Sequence, residues 1–217
     1  FYARVTAFNT GQVVADRSIS SDVNGHGINM FRGGSFYSED YEIYSPLQRG
    51  VNGSQGKLFA NDIKCHNAVS DSMFVTAGST AFIKRGLFEA GQYRGISAIY
   101  SSVIDAEDLI IQDHSNGAGL VAESNSSIFA EGGISRRNTK GASTSYSGFI
   151  LLRDGELTDN TGLAADTLTG GQINLQHAEV RDNNGGGANV QVRAKDLSFI
   201  IAEKPGSHAR KSTLVAS

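Results

Sequence analysis

The chain has 217 residues, with 19 Lys and Arg against 22 Asp and Glu, for a formal net charge of −3. That balance leaves no electrostatic case for nucleic acid or an anionic membrane as partner, and no apolar run approaches the roughly eighteen residues of a bilayer span. The one cysteine, Cys65, excludes a disulfide framework within the chain.

Residues 1–26 are polar and unpatterned. They are expected to be an N-terminal connector or cap, the cover that an open end of stacked strands needs. The chain starts at Phe1 with no signal-peptide pattern, so it is read as a piece of something longer. Residues 27–56 are rich in aromatics (Phe31, Phe36, Tyr37, Tyr41, Tyr44) and read as a coil with a long excursion ending at Pro46. The run Leu58 to Asn67 looks like a further copy, with Ile63 and Cys65 alternating inward. Phe82, Leu87, Phe88 and Gly95 lie 22 residues before Ile104, Leu109, Ile110 and Gly117. Ile104-Asp-Ala-Glu lies 24 before Ile128-Phe-Ala-Glu, and Gly117 lies 24 before Gly141.

The clearest copies are 145–162 and 168–185, at an offset of 23. They share Gly148/Gly171, Ile150/Ile173, Leu152/Leu175, Glu156/Glu179, Asp159/Asp182, Asn160/Asn183 and Gly162/Gly185. Four asparagines, Asn116, Asn138, Asn160 and Asn183, recur at 22, 22 and 23 residues. After Ala202 the tail is basic and unpatterned. Pro205 ends strand pairing, which makes 202–217 a C-terminal cap or tail.

A period in the low twenties marks a solenoid. The apolar residues alternate over short runs, as in Ile150/Leu152, Ile173/Leu175 and Val190/Val192, which is the period of a strand. Gly, Asn, Asp and Ser break the runs at short intervals, as turns require. The predicted fold is all-β, a right-handed parallel β-helix of seven to eight coils over 27–201, with like residues stacked about 4.8 Å apart. The four asparagines are expected to form one hydrogen-bonded file at a turn. A β-sandwich also has short strands at close intervals but predicts no such self-similarity.

In a β-helix any outward acid stacks on its copy. Glu156 over Glu179, with Asp159 and Asp182 three residues on, puts like charges in the proximity that raises one pKa and makes a general acid. Glycoside hydrolysis with retention uses two carboxyls about 5–5.5 Å apart, close to the spacing of adjacent rungs. Asp105, Glu107 and Asp108, with Glu131 on the next coil, form a second such cluster. The competing reading is structural, with Arg181 neutralising the acids and the aspartates capping turns. Tyr93, Tyr100 and Tyr146, near expected coil edges, and Arg153 are candidates for glycan contact. The five histidines lack metal-ligand spacing and no cofactor fingerprint is present, so neither a metal nor a cofactor is expected.

The runs 101–117, SSVIDAEDLIIQDHSNG, and 155–162, GELTDNTG, resemble the right-handed single-stranded parallel β-helix superfamily, which includes pectate lyases, polygalacturonases and bacteriophage tailspikes. The resemblance spans roughly 27–201 and lies at the level of the fold. The Asn-Asp pairs of polygalacturonases and the aspartate-rich calcium site of pectate lyases are missing. The irregular coil lengths and Ser/Asn/Gly-rich turns are most similar to a phage tailspike or tail-fibre domain. That likeness implies a homotrimer, folded in the bacterial cytoplasm and carried on the virion tail. Such a domain acts outside the cell on capsule or lipopolysaccharide O-chains, without nucleic-acid binding or membrane insertion. It implies either depolymerisation by the paired carboxylates or, alternatively, a non-catalytic receptor-binding module or shaft.

Overall fold

A computed structural model describes residues 5–183, 192–203 and 214–216. The described secondary structure is all strand, and every pairing is parallel between successive coils. The chain is a parallel β-solenoid of about eight turns. One 10-stranded sheet runs from Val5–Phe8 through Ile96–Ile99 to Leu214–Ala216 and forms the first face. A 14-stranded sheet supplies the other two faces. The strand Lys57–His66 spans both, bending at Asp62, whose φ is 54°.

Three files of left-handed residues form the corners. Tyr100, Ser124 and Tyr146 belong to the first, Asp62, Arg85, Asp108 and Asp154 to the second, and Asn67, Asp113, Arg137, Asp159 and Asp182 to the third. Asp and Asn tolerate this region better than most residues, which accounts for their regular recurrence. Ion pairs between rungs brace two of the files: Arg85 forks onto Asp62 at 2.7 and 2.6 Å, and Arg137 onto Asp113 at 2.7 and 2.8 Å.

Inside, aliphatic residues stack in columns, such as Leu58, Ala81, Ile104, Ile128, Ile150 and Ile173, all buried. The offset of 23 between the clearest copies is the true register, pairing Ile150 with Ile173, Leu152 with Leu175 and Glu156 with Glu179. Gly162/Gly185 and Val190 fall partly or wholly outside the described residues.

Four sequence expectations need correction. The stack starts at Val5 rather than residue 27, because Val5–Phe8, Gln12–Val14 and Ser18–Ser21 pair with the strands of the next coil. Residues 27–56 hold no excursion: Phe36 and Tyr41 fill the core edge-to-face at 5.3 Å. The register partner of Phe82 is Asp105, at 23 residues, so Phe82 points outward while Ala81 pairs with the buried Ile104. The equivalent of Gly141 is Gly119, not Gly117. A Cβ at Gly119 would collide with Ser135 Oγ from the third face, so only glycine fits there.

The asparagine file also differs from expectation. Asn138 accepts the Asn160 file's pattern in full: its N–H donates to Asn160 Oδ1 at 3.0 Å, and the Asn160 N–H donates to Asn183 Oδ1 at 3.0 Å. One coil earlier the place is held by His114, whose N–H donates to Asn138 Oδ1 at 3.0 Å. Asn116 is exposed, with its amide donating to Gln92 O. The reason is loop length. Seven residues lie between Gln112 and Leu120 but five between Arg136 and Ala142, so the count of 22 follows the first face while the file follows the third.

His114 is buried and its ring lies in space left by Gly91. Asn138 Nδ2 donates to Ile111 O and Ser135 Oγ, which fixes its Oδ1 toward His114. The contact of 3.1 Å to Oδ1 therefore requires a proton on Nδ1, leaving Nε2 to accept from the Ser72 hydroxyl at 2.9 Å. Ser72 also bonds the Cys65 thiol, which burial pushes up to about 12, so this cysteine is inert.

Burial lowers the His114 pKa, against the opposing Asn138 hydrogen bond. A folded pKa below the unfolded value gives stability that is full above about pH 6.5 and falls on acidification, by at most about 1.4 kcal/mol per pH unit. The variant His114→Asn should lose that share of the acid sensitivity between about pH 7 and pH 5. Urea unfolding of both proteins across this range, compared as a difference, checks it.

Candidate functional site

The outer wall of the second face carries three columns of side chains. The central one reads, in register, Val14, Tyr37, Phe59, Phe82, Asp105, Phe129, Leu151, Asn174 and Ile201. Alternation buries the neighbours of these residues and turns this column to solvent. Tyr37 stacks on Phe59 at 4.9 Å and 4°, and Phe59 on Phe82 at 5.1 Å and 13°.

Rings stacked at the rung spacing expose their edges and hide their faces. A free face remains only where the stack stops. It stops at Asp105, so the outer face of Phe82 looks onto a carboxylate. Phe82 is 42% exposed. A groove of about 500 Å³ opens here, lined among others by Tyr37, Phe59, Phe82, Lys84, Asp105 and Glu107. On the far side of Asp105, Phe129 tilts against Phe149 at 5.8 Å.

The third column holds the charged residues. Glu107 and Glu131 are register partners, as expected from the sequence. Each has a cation beside it: Lys84 is 3.5 Å from Glu107, and Arg153 is 3.8 Å from Glu131. Arg153 also donates to Gln176 Oε1. Asp105 forms no ion pair or hydrogen bond among the described residues.

Glu156 and Glu179 lie on the third face, side by side in register. One guanidinium binds both: Arg181 is 2.8 Å from Glu179 and 3.7 Å from Glu156. It also reaches Asp182 at 3.3 Å. The like-charge contact behind the general-acid expectation is thus bridged by a cation. Asp159 and Asp182 are left-handed corner residues, with the Asp159 N–H donating to Arg181 O.

The four candidate glycan contacts do not converge. Tyr93 sits under Arg94, 5.0 Å from ring centroid to guanidinium, beside a depression of about 230 Å³ that also takes in Asn116 and Lys140. Tyr100 and Tyr146 share the first corner, with Ser124 on the rung between. Arg153 stands at the other end of its strand, Phe149–Arg153, from Tyr146. Sequence reading missed the aromatic file itself.

The outer side of the first face carries buried ion pairs. Asp166, fully buried, accepts from Lys140 at 2.6 Å and from Arg193 at 2.8 and 2.7 Å. Burial would raise its pKa, but the hydrogen bonds from Arg193 and Lys140 outweigh it and hold the carboxyl below its ordinary value. Asp71, equally buried, is 3.3 Å from Arg94 and 3.7 Å from Arg49, yet its Oδ1 has no hydrogen bond. There burial dominates the two arginines and raises the pKa. Arg49 lies 3.7 Å over the Phe74 ring and covers this face. Among the described residues no helix is long and apolar enough to cross a membrane.

No family model and no curated protein matches the chain. A solved structure similar to it is the A-module of the mannuronan C-5 epimerase AlgE4 from Azotobacter vinelandii. That match has 11% identity and a TM-score of 0.41, over 94% of this chain and 80% of the other.

Proposed function

We propose that this chain is a β-helix module that recognises polysaccharide along the outer wall of its second face. The observation that carries this reading is the Phe82 ring, whose free face borders Asp105 inside the groove. Pyranose rings have apolar C–H faces that lie against aromatic rings and hydroxyls that donate to carboxylates. A ring face next to an uncommitted acid offers both contacts within one rung. The setting in keeping with this reading is a phage tailspike or tail fibre. There the module would be a homotrimer on the virion that meets capsule or O-chain outside the cell. Support for that setting is the resemblance in coil irregularity and turn composition.

Depolymerisation is the second reading, and the register of Glu156 with Glu179 favours it. Recognition ranks first because both paired clusters are tied to cations, Arg181 in one and Lys84 and Arg153 in the other.

The test is retention of a labelled capsule or O-chain panel, with release of new reducing ends followed in parallel. Phe82→Ala should weaken retention about five- to tenfold, as loss of a stacking contact worth about 1–1.5 kcal/mol requires, with the chain still folded. Retention unaffected by Phe82→Ala removes this wall as the site. New reducing ends that disappear in the Glu156→Gln, Glu179→Gln double variant establish the second reading instead.

A further inference from the structure

The central column of the wall carries one acid. Phe82 and Phe129 are separated by a single rung, and that rung carries Asp105. Two rungs place the backbones of the aromatic residues about 9.6 Å apart. Phe129 leans toward Phe149 and does not line the groove, so the notch is the part of the groove beside the free face of Phe82, floored by the Asp105 carboxylate.

Three features fix the charge of the group the notch takes. Aromatic faces carry negative potential and attract cations. Asp105 has no cation of its own among the described residues, whereas Glu107 and Glu131 do. The groove as a whole sets Asp16, Glu39, Asp105 and Glu107 against Lys84. A polyuronate would be repelled by such a wall, and a cationic residue drawn to it.

We infer that this notch takes the protonated amine of an unacetylated amino sugar in the polysaccharide. The inference rests on the reading of the wall as a glycan site and names the class of sugar. The sugar ring lies on Phe82 and its ammonium group donates to the Asp105 carboxylate. A neutral hexose keeps the stacking contact and a hydroxyl hydrogen bond but lacks the ion pair, and an N-acetylated residue loses the charge and adds bulk at the floor.

The experiment is calorimetric titration of the whole chain at mildly acidic pH, where the sugar amine is protonated. The ligands are fully deacetylated chito-hexaose, its fully N-acetylated counterpart and a hexagalacturonate. The deacetylated hexamer should bind at least about tenfold more tightly than the acetylated one, and the hexagalacturonate weakest. Asp105→Asn should remove that preference while leaving the unfolding transition in place, since Asp105 is an exposed wall residue. Equal affinity for the two chito-hexaoses, or a preference that survives Asp105→Asn, overturns the amine assignment while the glycan reading stands. Binding of an oligolysine peptide in preference to the deacetylated hexamer also overturns it, in favour of a protein partner. If Phe82→Ala leaves retention of every polysaccharide in the panel unchanged, the glycan reading itself falls.

Discussion

Replacing Asn138 with alanine should lower the stability of the chain by about 3–5 kcal/mol, one of the largest effects available from a single side chain here. Asn138 is fully buried. Its Oδ1 accepts from both the backbone N–H and the ring Nδ1–H of His114, and its Nδ2 donates to Ile111 O and Ser135 Oγ. Alanine leaves both His114 donors without their acceptor and takes a donor from Ile111 O and from Ser135 Oγ, which keeps its bond to Gly141 O, in a site closed to bulk water, and unpaired buried groups carry the whole desolvation penalty. The control is Asn116→Ala. By sequence period the two residues are equivalent, yet Asn116 is exposed and bonded to Gln92 O and Ser115 Oγ. Its loss should cost less than about 0.5 kcal/mol, as for an ordinary surface position. Equal losses for the two variants in urea unfolding would refute the file described here.

Asp166→Ala is expected to cost about 2–4 kcal/mol, the range for removing one partner of a buried ion pair, reduced because its cations keep some contact with water. Lys140 and Arg193 each have side chains 36% exposed, while Asp166 has none of its side chain exposed. The loss should depend on pH in a defined sense. The folded pKa of Asp166 lies below the ordinary value, so its contribution is complete above about pH 4 and fades as pH falls further. Wild type and variant should therefore converge in strong acid and differ most near neutrality. A gap that stays constant through the acid range would disprove the ion-pair account. Asp154→Ala, which removes an exposed corner acid 3.3 Å from His177, serves as the surface control.

The architecture was legible because stacking repeats the chemistry of each rung. An offset of 23 read from Glu156 and Glu179 is the offset that the strands adopt. The same repetition paired Ile104 with Ile128 and Glu107 with Glu131. What was not legible came from two sources. A slip of one residue, 22 for 23, turned Phe82 from wall to core, because strand side chains alternate. That slip hid the stack Tyr37, Phe59 and Phe82, since the copies were aligned on apolar character, which inward and outward aromatics share. The signal that corrects it is Ala81, whose small apolar side chain alternates with Ile83 through Phe82.

The second source is the loop between the third and first faces. It holds seven residues between Gln112 and Leu120 and five between Arg136 and Ala142. A ladder counted across it drifts between faces, which made Asn116 look like a member of the file and concealed His114. The tyrosines and Arg153 failed to converge for a plainer reason. Period locates a residue along the chain, but only register around the coil decides which face it joins.

That loop has a wider consequence. Because length variation collects there, the second face advances by one fixed rise per turn whatever is inserted elsewhere. The wall behaves as a ruler whose graduations are Tyr37, Phe59, Phe82, Asp105 and Phe129. A polymer laid along it meets each graduation at a constant interval. Insertions or deletions in the loop can then reshape the opposite corner freely without putting the ruler out of phase.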